Sequence, residues 1–164
     1  MVIAALLASM SIVLGKYASL TFLTVRISFE NLPVIAAGIM LGPLAGALVG
    51  ALADLVGCLL VGYAINPIIT LGAAVIGLCA GLCSMALGGV QRRPFLATAV
   101  SCIAAHALGS ILIKSAGISI YYGSPFFAVL LERSATYAFI AAAEILLLGT
   151  LFSNSGIKTM IKRI

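Results

Sequence analysis

Between residues 25 and 57 the chain reads VRISFENLPVIAAGIMLGPLAGALVGALADLVG. Gly38, Gly42, Gly46 and Gly50 recur at every fourth position, and Asp54 continues the register. On a helix such a row forms one narrow face. Small residues at that spacing let two helix backbones approach closely in lipid. Pro43 follows Gly42 and has no amide hydrogen to offer the preceding turn, so the row divides into two helices meeting at a tight joint. Arg26, Glu30 and Asn31 stand just ahead of the first of them. Charged groups at the mouth of an apolar bundle are costly and point to function.

The rest of the chain agrees with a lipid setting. Of 164 residues, 63% are hydrophobic and 8% charged, against about 25% charged in a soluble domain. The mean hydropathy is +1.29. A membrane span needs roughly 20 apolar residues, which leaves room for about six spans with short loops. The apolar runs place them at 2–14, 32–41, 44–61, 67–87, 95–113 and 126–152. The expected fold is an all-α membrane protein, six transmembrane helices in a compact bundle, with residues 1–164 forming one domain. The first run lacks the basic head and cleavage site of a signal peptide. It reads as a short first span, and the natural chain is expected to begin earlier.

The net charge of +5 is spread thinly between apolar runs, with no basic patch, so nucleic acid is not an expected partner. Cys58, Cys79, Cys83 and Cys102 sit inside apolar runs as small packing residues. No zinc or redox spacing, no HExxH and no GxxxxGK[ST] occurs, so neither a metal nor a bound ATP is expected, and no cofactor. The positive-inside rule puts Arg92, Arg93, Lys158, Lys162 and Arg163, with both termini, in the cytoplasm of a multi-pass plasma-membrane protein. Lys16, Arg26, Glu30, Lys114, Glu132 and Arg133 then share the outer side, where they either snorkel at helix ends or receive an anionic ligand. Residues 25–30 alternate apolar and polar, the period of an extended segment. Open backbone cannot face lipid, so this loop between helices 1 and 2 is expected to cover an outward-facing ligand pocket.

The candidate ligand-binding residues are Arg26, Ser28, Glu30, Asn31, Tyr63, Asn66, His106, Tyr121, Tyr122 and Arg133. A guanidinium pairs bidentately with a carboxylate, which puts Arg26 first and Arg133 second. Glu30 and Asn31 can read the edge of a heterocycle, or simply start the second helix. The tyrosines can stack on a flat ring or anchor at the membrane interface. His106, the single histidine, suits a hydrogen-bonded packing role. Asp54 and Glu144 are acids inside apolar runs and read as structural, with a proton relay as the competing role. Glu144 lies eleven residues after Arg133, three turns along one helix face. Ala4 and Ala8 give the first span a close-contact face, for packing or for docking to another membrane subunit.

The segments RISFENLP, GPLAGALVGALADLVG, NPIITLGA and SIYYGSPFFAVLLER together resemble the substrate-binding (S) components of energy-coupling factor (ECF) vitamin transporters, nearest the folate family. The resemblance implies a prokaryotic, six-helix, non-enzymatic protein that binds its vitamin beneath the loop between spans one and two. It also implies docking, through Ala4 and Ala8, on a transmembrane coupling protein driven by two cytoplasmic ATPases. His106 stands where the family pattern calls for an amide, and Glu132 puts an acid beside Arg133. Folate, a flat polar heterocycle with two carboxylates, suits a mouth of arginines and tyrosines. The competing readings are an S component for another vitamin or a queuosine precursor, a proton-coupled carrier using Asp54 and Glu144, and an intramembrane enzyme built on His106.

Overall fold

The computed structural model describes the backbone of residues 1–22 and 25–161, without the side chains of residues 20–26 and 160. It runs α1 (Val2–Lys16), β1 (Leu20–Phe22), β2 (Val25–Ile27), α2 (Asn31–Leu41), α3 (Pro43–Val61), α4 (Pro67–Ala86), α5 (Gly89–Arg92) and α6 (Pro94–Ala105). A π-helical segment, His106–Ile113, carries α6 without a break into α7 (Lys114–Tyr122). The chain finishes with α8 (Phe126–Ser153) and α9 (Ser155–Ile161). The two strands form a small antiparallel hairpin pairing Leu20 with Ile27 and Phe22 with Val25.

Among the described residues, four helical stretches are long and apolar enough to cross a membrane: Pro43–Val61, Pro67–Ala86, Pro94–Tyr122 and Phe126–Ser153. The other two apolar stretches, Val2–Lys16 and Asn31–Leu41, are 15 and 11 residues long. The second is cut short by Gly42 and Pro43. Gly42 takes φ +96°, a backbone setting that suits glycine, and Pro43 opens α3 at the first-turn position that needs no amide hydrogen. The outer surface is apolar, with Leu44, Leu48, Leu59, Phe127, Leu131 and Phe139 all well exposed. A surface of that kind is matched to lipid.

The glycine row divides its labour. Gly42 makes the joint, while Gly38, Gly46 and Gly50 lie where α2, α3 and α4 touch backbone to backbone. A Cβ on Gly46 would stand 2.5 Å from Gly38 Cα and 2.7 Å from the Gly77 carbonyl oxygen. A Cβ on Gly81 would stand 2.5 Å from Pro43 Cα. Three helices are thus drawn into one slab, and Ile35, Ile76 and Ala80 are buried within it. Around this slab α1 packs on α2 and α3, while the α6–α7 helix and α8 close the other side. Ala4 and Ala8 are half-buried against the core, leaving Val2, Leu6, Met10 and Val13 as the exposed row of α1.

Up-and-down connectivity sorts the helix ends. Lys16, Asn66, Tyr122 and Ser124, from helix ends and loops, gather at one end of the bundle. The Gly42-Pro43 joint, α5 and α9 lie at the other, where Gln91 Nε2 donates to the Lys158 carbonyl at 2.8 Å. Arg92 and Arg93 are exposed there.

Overpacking a tight contact costs about 1–3 kcal/mol, so Gly46→Val is expected to lower the thermal stability of the detergent-solubilised protein. Leu48→Ala on the same helix, at an exposed position, is expected to shift it by no more than about 0.5 kcal/mol. Equal effects of the two would show that the glycine contact does not hold the slab together.

Candidate ligand-binding site

The end of the bundle beside the hairpin holds a cavity of about 480 Å³, within the roughly 300–1,000 Å³ of small-molecule sites. Its wall is drawn from α1, the segment before α2, α3, the loop before α4, α7 and α8. Among the described residues, three cations (Lys16, Lys114, Arg133), three acids (Glu30, Asp54, Glu132) and three tyrosines (Tyr63, Tyr122, Tyr137) line it.

Glycines make room for several of these charges. Lys16 ends α1, and a Cβ on Gly57 would stand 2.8 Å from its Cε. Its ammonium then lies 5.3 Å from the centre of the Tyr63 ring, a cation–π arrangement. Lys114 is 5% exposed. Its stem crosses Gly72, where a Cβ would stand 2.7 Å from Cγ, and its Nζ reaches Glu30 Oε1 at 3.3 Å. Glu30 lies against Gly15, where a Cβ would be 2.7 Å from Oε2. A buried ammonium is tolerable only when paired, and Glu30 is that partner.

The backbone at Glu30 is pinned from two sides. Ser11 Oγ donates to its carbonyl at 2.6 Å, and its own amide donates to Ser28 Oγ at 3.2 Å. On the facing wall, Thr70 Oγ1 donates to Asp54 Oδ2 at 2.7 Å, which orients that carboxylate. Asn66 caps α4: its Oδ1 accepts from the amides of Ile68 (3.0 Å) and Ile69 (3.4 Å), and its Nδ2 donates to the Gly117 carbonyl at 3.0 Å. Arg133 Nε donates to the Ser110 carbonyl at 2.9 Å, and Nη2 donates to the Tyr137 hydroxyl at 3.3 Å. Its guanidinium stands 5.0 Å from the Tyr137 ring.

Of the candidates read from the sequence, Ser28, Glu30, Tyr63, Asn66, Tyr122 and Arg133 come together on the cavity wall. Asn31 and His106 lie behind it, both 2% exposed. There His106 Nε2 meets Glu144 Oε2 at 2.6 Å. Tyr121 is exposed and does not line the cavity. The Arg26 side chain lies outside the described residues. Asp54, read as structural, is hydrogen-bonded and also lines the cavity, whereas Glu144 is fully buried away from it. Tyr137 and Thr136 were not singled out from the sequence. Both follow Arg133 within about one helical turn, so extending the Arg133 face forward would have found them.

The chain matches the family model of the ECF transporter, substrate-specific component, over residues 1–163. The solved structure of FolT bound with folic acid shares its fold at a TM-score of 0.70, with 24% identity over 93% of this chain and 91% of that one. The S component for biotin from an ECF-type ABC transporter superimposes at 0.65, with 16% identity over 93% and 89%. The S component of a bacterial ECF transporter does so at 0.55, with 19% identity over 92% and 93%. No curated protein matches the chain significantly in sequence. A family match over nearly the whole length, joined to the shared fold, means that the chain belongs to the substrate-specific components of ECF transporters.

Proposed function

We propose that this chain captures folate, or a closely related vitamin, in the cavity lined by Lys16, Lys114 and Arg133, for ATP-driven uptake. The supporting observation is the composition of the wall: among the described residues, cations and acids both line it, with tyrosines between them. Such a wall suits an amphoteric ligand. Folate has carboxylates for Lys114 and Arg133, N–H groups that Asp54 or Glu30 can accept from, and a flat ring for Tyr63, Tyr122 or Tyr137. The fold shared with a folic-acid-bound structure supports the same cargo.

In this reading all six apolar helical stretches cross the plasma membrane of a prokaryote, the short α1 and α2 being accommodated by local thinning of the bilayer. The cavity opens outward beneath the hairpin, and Arg92, Arg93 and Lys158 face the cytoplasm with both termini. The exposed row of α1, flanked by Ala4 and Ala8, docks on a transmembrane coupling protein that two ATPase subunits drive. The chain performs no chemistry on its cargo.

Calorimetry on purified protein is expected to show one folate per chain, bound in the nanomolar range without ATP or a proton gradient, and far weaker binding of biotin. Preference for another vitamin would keep the transport role and change the cargo. Uptake by this chain alone into proteoliposomes under a pH gradient would replace the S-component reading with a carrier using Asp54 and Glu144. Loss of one charge-assisted hydrogen bond costs about 1.5–3 kcal/mol, so Arg133→Ala and Arg26→Ala are each expected to weaken folate binding by roughly 10–150-fold. Tyr121→Ala, outside the cavity, is expected to change it less than about twofold. Unchanged affinity in Arg133→Ala would remove Arg133 from the ligand contacts.

A further inference from the structure

Behind the cavity wall runs a buried polar chain to which ligand binding assigns no task. Asn31 Nδ2 donates to Ser110 Oγ at 3.2 Å, Ser110 Oγ lies 3.1 Å from His106 Nδ1, and His106 Nε2 lies 2.6 Å from Glu144 Oε2. Ser110 and Glu144 are 0% exposed. The Asn31 amide group donates to Ser110 Oγ, and the two ring nitrogens of His106 bridge Ser110 Oγ and Glu144 Oε2. Glu144 Oε1 has no hydrogen-bond partner among the described residues. Apolar residues would fill such a space at lower cost. What the polar set adds is direction.

That direction leads to the cavity. His106 opens the π-helical segment His106–Ile113, whose hydrogen bonds run one residue longer than those of an α-helix. Within it, the Ser110 carbonyl accepts from Arg133 Nε at 2.9 Å. The His106 ring also packs on Tyr137, centres 5.0 Å apart at 34°, and the Tyr137 hydroxyl accepts from Arg133 Nη2 at 3.3 Å. Both groups that hold the Arg133 guanidinium therefore rest on His106, one through a hydrogen bond and one through ring contact.

We propose that His106 is a positioning residue for the ligand site: clamped between Glu144 and Ser110, it fixes the π-helical segment and Tyr137 so that Arg133 is presented to the cavity in one orientation. Its consequence for binding rests on the reading of Arg133 as a ligand contact, whereas the clamp itself does not.

The test uses His106→Gln, whose amide can still donate to Glu144 but cannot bridge to Ser110. The first arm needs no ligand. In the intact protein in nanodiscs, the Arg133 Nε–H signal (identified by its loss in Arg133→Ala) is expected to be protected from solvent exchange. In His106→Gln its exchange is expected to accelerate at least about tenfold, while Phe152→Leu, which destabilises the far end of the bundle, leaves it in place. Unchanged exchange in His106→Gln overturns the proposal, and so does equal acceleration in Phe152→Leu. The second arm is a double-mutant cycle with folate as probe. His106→Gln is expected to weaken binding about 5–30-fold with Arg133 present and less than about twofold in the Arg133→Ala background, the mark of coupled residues. Additive losses overturn the positioning role. Loss of protection in the first arm, with folate affinity indifferent to Arg133→Ala, supports the clamp and overturns the site reading alone.

Discussion

The contact on which the rest of this molecule depends is the backbone-to-backbone packing of α2, α3 and α4 at Gly38, Gly46, Gly77 and Gly81. In lipid the hydrophobic effect does little to hold one apolar helix against another, so close packing must supply the attraction. Side chains at these positions would hold the helices apart. Without them, three helices form a slab whose upper rim carries Asp54 on α3 and the Asn66 cap of α4. The buried start of α2 at Asn31 belongs to the same rim. The site is therefore mounted on this closely packed slab, and α1, α7 and α8 complete it by bringing Lys16, Lys114 and Arg133 across.

Charge is handled at that rim by pairing. Lys114, nearly buried, has Glu30; Lys16 has the face of Tyr63; Arg133 has a carbonyl, a hydroxyl and a ring. Partners of this sort keep a charged wall tolerable when it is empty, and they hold each head group in place, so less freedom remains to be lost on binding. The same economy explains Gly15, Gly57 and Gly72. Each lies beneath a long charged side chain, so that its stem can lie flat against a helix.

Much of this was legible in the chain. The four-residue glycine spacing announced close helices, the Gly42-Pro43 step announced the joint, and the apolar runs fell where the helices are, except that the fifth helix continues nine residues past Ile113, to Tyr122. Glu30, Tyr63 and Arg133 stood out because polar residues are conspicuous in such a sequence. Other features were hidden for physical reasons. The meeting of Asn31, Ser110, His106 and Glu144 joins three elements far apart in the chain, and no local spacing encodes it. The π-helical segment has the same apolar composition as an ordinary helix, so nothing in HALGSILI betrays it. Asp54 was recognisable as an unusual acid, but whether it faced the slab or the cavity depended on the rotation of α3, which Gly46 and Gly50 set by their contacts with α4.

The central claim is that an outward-facing cavity at this rim holds the nutrient. Thr136 lines that cavity half-buried on α8. Thr136→Cys, in a protein with its own cysteines replaced, can be treated in intact cells with a small membrane-impermeant thiol reagent. The account predicts modification from outside that added folate slows strongly. Modification only from the cytoplasmic side, or at a rate indifferent to every vitamin offered, would contradict it.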